Sequence, residues 1–270
     1  TAIDDYTLEK YGWPVKRRIY GEAILKLKKL GVKAVGMDVL LFEADKTDPA
    51  SDKFFVDAVE KAGNVVGLVG VDQTTWGIQK PEEGPLKGLV KASALVAYPN
   101  VDITKDADGQ VRRYNSFYPT RASTKSGSEG AEEFLSYSVA GLKDVKCWAD
   151  CKNATLSSLG MAPYIVASGT PSLTVEQVNM SEVAFDRFER ELNYRYIVSR
   201  RVNPAWNKDP DKKVISSFRH ISIRDIIEDK LAPEERAALK GGITYIGSTA
   251  TGAFDHVPSP FLPQLPGVEV

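Results

Sequence analysis

From Lys16 to Gly31 the chain reads KRRIYGEAILKLKKLG. Ile19, Ala23, Ile24, Leu27 and Leu30 recur at the spacing that lines up one side of a helix, while Lys26, Lys28 and Lys29 fall largely off that side. Gly31 stands where a helix end calls for a residue of positive φ. VKAVGMDVLLF follows, bulky, β-branched and short enough for a buried strand. DPASDKFFVDAVEKAG then predicts a second helix, with Asp48 as its N-cap and Pro49 at its first position. Phe54, Phe55, Ala58, Val59 and Ala62 form its apolar side, Gly63 closes it, and NVVGLVGV is the next strand.

Helix, strand, helix, strand with short joints is the pattern of βαβ units. The fold class this implies is α/β: a mostly parallel central sheet with helices on both faces, plus an irregular middle insertion. AIDD, ahead of the first helix, reads as the tail of an earlier strand. The middle is less regular. QTTWGIQKPEEGPLKG is loop-like, KDADGQVRRYNSFYP reads as a tight turn and then an alternating strand, and STKSGSEGAEE is a polar loop. EFLSYSVAGL is a helix with Phe134, Leu135, Ser138, Val139 and Leu142 on one side. Between Lys143 and Val183 the pattern fixes no order of elements. RELNYRYIVS reads as a strand. In SIRDIIEDKL, Ser222 and Asp225 have capping-box spacing ahead of Ile226 and Ile227. PEERAALKG is another short helix leading into the strand GITYIG. With no internal repeat and no linker that separates two bodies, the 270 residues are read as one domain, 1–270.

Charge narrows the function classes. Lys and Arg number 35 against 36 Asp and Glu, for a net charge of -1. Such balance gives no basic footprint for nucleic acid and no polybasic patch for a membrane surface. No apolar run approaches the roughly 18 residues that would span a bilayer. Thr1 opens directly on AIDD without a leader-like segment, and the pattern is cut at both ends, as in a piece of something longer. Cys147 and Cys151, with His220 and His256, do not have the paired spacing of a zinc ribbon or finger, so no metal is expected. A local disulfide between Cys147 and Cys151 suits an oxidising compartment; two unpaired thiols in a loop is the alternative.

Several short motifs have a bland reading beside a chemical one. GSTATG has the glycines of a phosphate loop but Ala253 where the lysine belongs, which leaves a tight turn or a weak anion cradle. KDADGQ carries Asp106 and Asp108 ahead of Gly109, yet Thr104 and Asn115 occupy the calcium-loop positions that need carboxylates, so a hairpin turn is the better account. Asp4, Asp5, Asp38 and Asp255 each fall at or near the C-terminal end of a predicted strand, the edge at which open α/β sheets bind ligands. The plainer alternative is helix capping and ion pairs to Arg17 and Arg18. No GxSxG elbow accompanies His256.

The opening IDDYTLEKYGWPVKRRIYGEAILKLKKLGVKAVGMDVLLFEADKTDPASD resembles that of the CHASE domain, type two, the cyclases/histidine kinases associated sensory extracellular domain. Gly12, Trp13, Pro14 and Arg17 occupy the family's Gly-x-Trp-Pro-like turn; Lys33, Asp38, Phe42 and Asp48 occupy its later positions. DADGQVRR is similar to the family's Asp-Gly hairpin with paired arginines. GGITYIGSTATGAFDHVPSPFLPQLPGVEV is similar to its terminal signature. The likeness runs through both ends and the middle in order. It departs from the family at Val15 and Lys16, where a second Trp-Pro is common, and at Gly241-Gly242, where the family has Gly-Lys.

The resemblance implies an extracytoplasmic, periplasmic sensor domain of a membrane-anchored bacterial receptor, itself non-catalytic and without a cofactor. The parent chain would carry a cytoplasmic output such as an adenylate cyclase, a histidine kinase or a serine/threonine kinase. The proline-rich tail would lead back toward the bilayer, with Thr1 and Val270 on one side. A ligand site is expected at the strand ends, formed by Asp4, Asp5, Trp13, Asp38, Ser248, Thr249 and Asp255, with Arg17 and Arg112 as counter-charges. Mixed signs suit a small polar or zwitterionic ligand. The expected assembly is a homodimer. The competing readings are a dimerisation or interaction domain that binds nothing small and, resting only on the carboxylates near His256, a metal-dependent hydrolase.

Overall fold

The computed structural model describes residues 1–68, 71–72, 77–78, 86, 88–98, 113–115, 117–121, 153–160, 162–169, 189–191, 218–250, 256–257 and 265–269. In chain order the elements are β1 (Ala2–Ile3), α1 (Asp5–Tyr11), α2 (Arg17–Lys29), β2 (Ala34–Met37), α3 (Pro49–Ala62), β3 (Val65–Leu68), β4 (Val71–Asp72), β5 (Gly77–Ile78), α4 (Leu89–Ala92) and β6 (Leu95–Tyr98). They continue as β7 (Arg113–Asn115), β8 (Phe117–Arg121), β9 (Asn153–Ser158), α5 (Ala162–Ser168), β10 (Glu189–Glu191), α6 (Ile223–Ile227), α7 (Pro233–Leu239), β11 (Ile243–Ser248), β12 (His256–Val257) and β13 (Leu265–Pro266), ending in a 3-10 turn, Gly267–Glu269.

The central sheet has the order β1-β11-β2-β3-β6-β9-β8-β5-β4. From β1 to β9 every neighbouring pair is parallel. The far edge is mixed: β8 runs antiparallel to β9, and β4 to β5. The last long strand, β11, fills the slot between the first two, which draws both ends of the described chain into one half of the sheet.

Alternation along the strands divides the core into two layers. Val35 and Met37 of β2, Val65 of β3 and Ile246 of β11 face a cluster built with Tyr20, Ile24 and Leu27 of α2 and Phe55 and Val59 of α3. Val66 and Leu68 of β3 point the other way, against Leu95, Ala97, and Ala162 and Ile165 of α5. Helices thus cover both faces, as the pattern implies. Tyr20 meets Phe55 edge to face at 6.4 Å, and burial pushes its phenol up to about 12, with Arg17 opposing the shift.

Local chemistry sets the boundaries. Asp48 accepts from the Ser51 amide at 3.1 Å and caps α3, with Pro49 inside the first turn. Gly31 and Gly63 close α2 and α3 with φ of 82° and 65°. α2 begins after Lys16, which lacks a capping side chain; the hydroxyl of Ser51, on α3, accepts the Arg18 amide at 2.8 Å instead. β2 stops at Met37, short of the apolar run that continues to Phe42; the Asp38 amide still donates to the Ile246 carbonyl, and beyond it Val39 and Leu41 pack on the core while Leu40 is 51% exposed. The capping box expected at Ser222 does not form: Ser222 holds the N-cap position of α6 without bonding its amides, and Asp225 pairs with Arg224 at 3.1 Å. Glu235 makes the equivalent reach in α7, accepting the Ala232 amide at 2.9 Å. β7 and β8 realise the strand read after the Asp-Gly turn, while β9 and α5 lie where the sequence pattern fixes no order. The predicted helix over 133–142 and the Asp-Gly turn itself lie outside the described residues.

Candidate functional site

Because β1, β11 and β2 are adjacent and parallel, their C-terminal ends share one edge. Asp4 follows β1, Ser248 ends β11 with Thr249 after it, and Asp38 follows β2. Backbone bonds fasten the edge: the Asp38 amide donates to the Ile246 carbonyl at 2.8 Å, and the Thr249 and Ala250 amides both donate to the Ile3 carbonyl, each at 3.1 Å. Asp4, Asp38, Ser248 and Thr249 are thereby gathered on three neighbouring strands.

Their side chains differ in what they are doing. Oδ1 of Asp4 accepts from the Thr7 amide at 2.9 Å, the Thr7 hydroxyl at 2.7 Å and the Ser222 hydroxyl at 2.9 Å. It is at once the N-cap of α1 and the joint between α1 and the residue ahead of α6. Ser248 is 9% exposed, and its hydroxyl oxygen is buried with no hydrogen-bond partner among the described residues. Such an oxygen costs about 1–3 kcal/mol relative to a satisfied one. Asp5 sits exposed in the first turn of α1, and Trp13 is 59% exposed in the turn between α1 and α2.

Arg17, at the start of α2, is directed into the loop between β2 and α3. Its Nε lies 3.0 Å from Oδ1 of Asp52 as facing charges, their alignment falling short of a hydrogen bond. Its other nitrogens approach Asp45, at 3.9 Å, and the Glu43 carbonyl. Asp52 in turn accepts the Asp45 amide at 2.7 Å. Asp45 accepts from the Thr47 hydroxyl at 2.7 Å, the Thr47 amide at 2.9 Å and the Asp48 amide at 3.0 Å. These bonds, the Thr47 hydroxyl foremost, hold its carboxyl below the usual carboxylate range, with Arg17 adding to the effect. The guanidinium therefore braces the loop that leaves Asp38. Asp45 and Asp52, its partners, were not among the nominated residues; DKTD, with Asp, Thr and Asp at the spacing of an Asx turn, is the signal that could have found Asp45.

Arg112 and Asp255 lie outside the described residues, as do Cys147 and Cys151. Among the described residues no group of three His, Cys, Asp or Glu side chains is placed to hold a metal ion. Nor, among them, is any helix long and apolar enough to cross a membrane.

The mostly parallel half of the sheet thus gathers polar residues at its strand ends, the edge at which open α/β sheets bind ligands. The family is identified by comparison: the chain matches the family model of the CHASE2 domain over residues 1–270 and belongs to that family. CHASE2 is an extracellular sensory domain family of signalling receptors, sensory and not catalytic by itself. No curated protein and no solved structure matches the chain.

Proposed function

We propose that this domain is the extracytoplasmic signal-input module of a bacterial membrane receptor, binding a small polar ligand at the strand ends and passing the change to a cytoplasmic cyclase or kinase in the same parent chain. Membership of a sensory family along residues 1–270 is the observation that carries the reading. The strand ends are the place we assign to the ligand. Asp38, Ser248 and Thr249 sit at one edge of adjacent parallel strands, and the buried Ser248 hydroxyl is an acceptor and donor that a polar ligand group could satisfy. Arg17, expected as a counter-charge, faces Asp45 and Asp52 in the loop after β2, and in this reading its role is to brace that loop. Arg112 remains the proposed counter-charge and Asp255 a proposed contact. A sensor shifts its output only by binding two states with different affinity, so the site must differ between them.

The test is the parent receptor's own output with Asp38→Asn and Ser248→Ala in place. Loss of the stimulus response, with the domain still folded by circular dichroism, supports the ligand site. An unaltered response in both variants removes it and leaves the alternative, a periplasmic dimerisation domain that sets the resting state without a small ligand.

A further inference from the structure

The chain leaves β11 at Ser248, passes through the antiparallel ribbon in which His256 pairs with Pro266 and Val257 with Leu265, and comes back to the strand it left. The returning 3-10 turn sets Val268 directly on Gly247. A Cβ at position 247 would fall 2.5 Å from Val268 Cβ, a separation no real pair of such atoms adopts, and 3.2 Å from Asp38 Cβ. Gly247 is a strand residue paired with Ala2 and has no positive φ, so its backbone would accept any side chain; it is the space above it that is taken. One glycine is thus flanked by Ala2 of the first strand, by the carboxylate-bearing residue at the end of β2, and by the last described turn.

We infer that Gly247 is the seat of a latch. Val268 fills the notch left by the missing side chain, so the strand edge bearing Asp38 and Ser248 and the turn through which the chain exits move as one body. This rests on the sensor reading and deepens it by naming the path: a shift of β11 or β2 at the strand ends displaces the turn at 267–269 through the contact between Gly247 and Val268. A packed methyl group against a backbone Cα transmits position because interiors are dense and yield little.

Hydrogen exchange on the purified domain tests the latch. In Gly247→Ala the new methyl unseats Val268, and the peptide covering 265–270 exchanges about tenfold faster or more, while peptides from β2 and β3 keep their protection. Should Gly247→Ala fail to fold, Val268→Ala removes the knob from the other side and gives the same local loosening. Unchanged exchange of 265–270 in a folded Gly247→Ala, or in Val268→Ala, overturns the latch. The experiment needs neither ligand nor output. Its failure would leave the sensor reading standing, whereas an unaltered response in both Asp38→Asn and Ser248→Ala would remove the ligand site and leave the latch.

Discussion

The hydroxyl of Ser222 donates to Oδ1 of Asp4 at 2.9 Å, joining residues 218 positions apart in the chain. The same carboxylate oxygen caps α1, so a residue that reads as a ligand contact from its place at a strand end is also a structural joint. Asp4→Ala removes the cap and leaves the Thr7 and Ser222 hydroxyls, 3.2 Å apart, with only each other in place of the carboxylate. The expected loss is about 2 kcal/mol of unfolding free energy. Asp4→Asn, an equally good cap, should cost about 1 kcal/mol or less. Urea denaturation of the two variants checks the difference. It also means that a signalling defect in Asp4→Ala reports folding as much as binding, and only Asp4→Asn can speak for a ligand contact.

Arg17 organises the loop that leaves β2. Its side chain and that of Asp52 are each less than a fifth exposed, so removal of the cation leaves a partly buried carboxylate unpaired. Arg17→Ala should lower stability by about 1–3 kcal/mol, discounted from the fully buried case because both groups retain some solvent. Arg17→Lys should recover little of it, since a single ammonium cannot span Asp52, Asp45 and the Glu43 carbonyl together. Thermal unfolding of the pair measures this.

Asp45 gives the same loop a pH dependence. Its carboxyl titrates below the ordinary 3.8 in the folded chain. A depressed folded value contributes stability that is present above the unfolded pKa and disappears as pH falls through the folded one. The loop should therefore hold at pH 5 and above and loosen on acidification below about pH 4, where amide signals of Thr47 and Asp48 shift together. Asp45→Asn should abolish that acid transition; a transition that survives it would assign the effect to another carboxylate.

Gly36 tests the layer on the opposite face. A Cβ there would fall 2.7 Å from the ring of Tyr245 and 3.0 Å from Pro163 of α5. Tyr245 is itself tied down, donating to the Gly160 carbonyl at 3.0 Å. Gly36→Ala should therefore cost about 1–3 kcal/mol through overpacking, and most of that should return when Tyr245 is shortened to Leu in the same chain. Chemical denaturation of the single and double variants decides it.

The parts of the fold that were legible in the sequence are those where local signals and burial agree. α2 and α3 carry an apolar face, a cap or a terminal glycine, and an adjoining apolar strand, and each lies within a residue or two of its expected limits. Position in the sheet was not legible: nothing local in GITYIG says that β11 inserts between β1 and β2, because that follows from a pairing more than 200 residues away in sequence. The strand-end edge was legible in the sequence; the contacts of its side chains were not. Asp4, Asp38, Ser248 and Thr249 do converge, since strand ends in a parallel sheet must. Whether a charged side chain faces a ligand or a neighbour depends on distant partners, and for Arg17 those partners, Asp45 and Asp52, arrive only when α3 folds back on α2. Ser222 likewise turns its hydroxyl to a distant partner, donating to Asp4, and makes no bond to the amides of its own helix.

Ligand binding at the strand ends is the central claim, and a thermal-shift screen of the purified domain against small amines, amino acids, carboxylates and sugars tests it most directly. At about a hundredfold excess over Kd a true ligand stabilises by about 2.7 kcal/mol, which for a chain of this size raises Tm by roughly 5–10 °C. The predicted result is at least one such compound whose shift vanishes in both Asp38→Asn and Ser248→Ala. A compound whose shift is the same in wild type and both variants would contradict the site, and silence across the panel from a domain that is a stable dimer by light scattering would contradict the sensor.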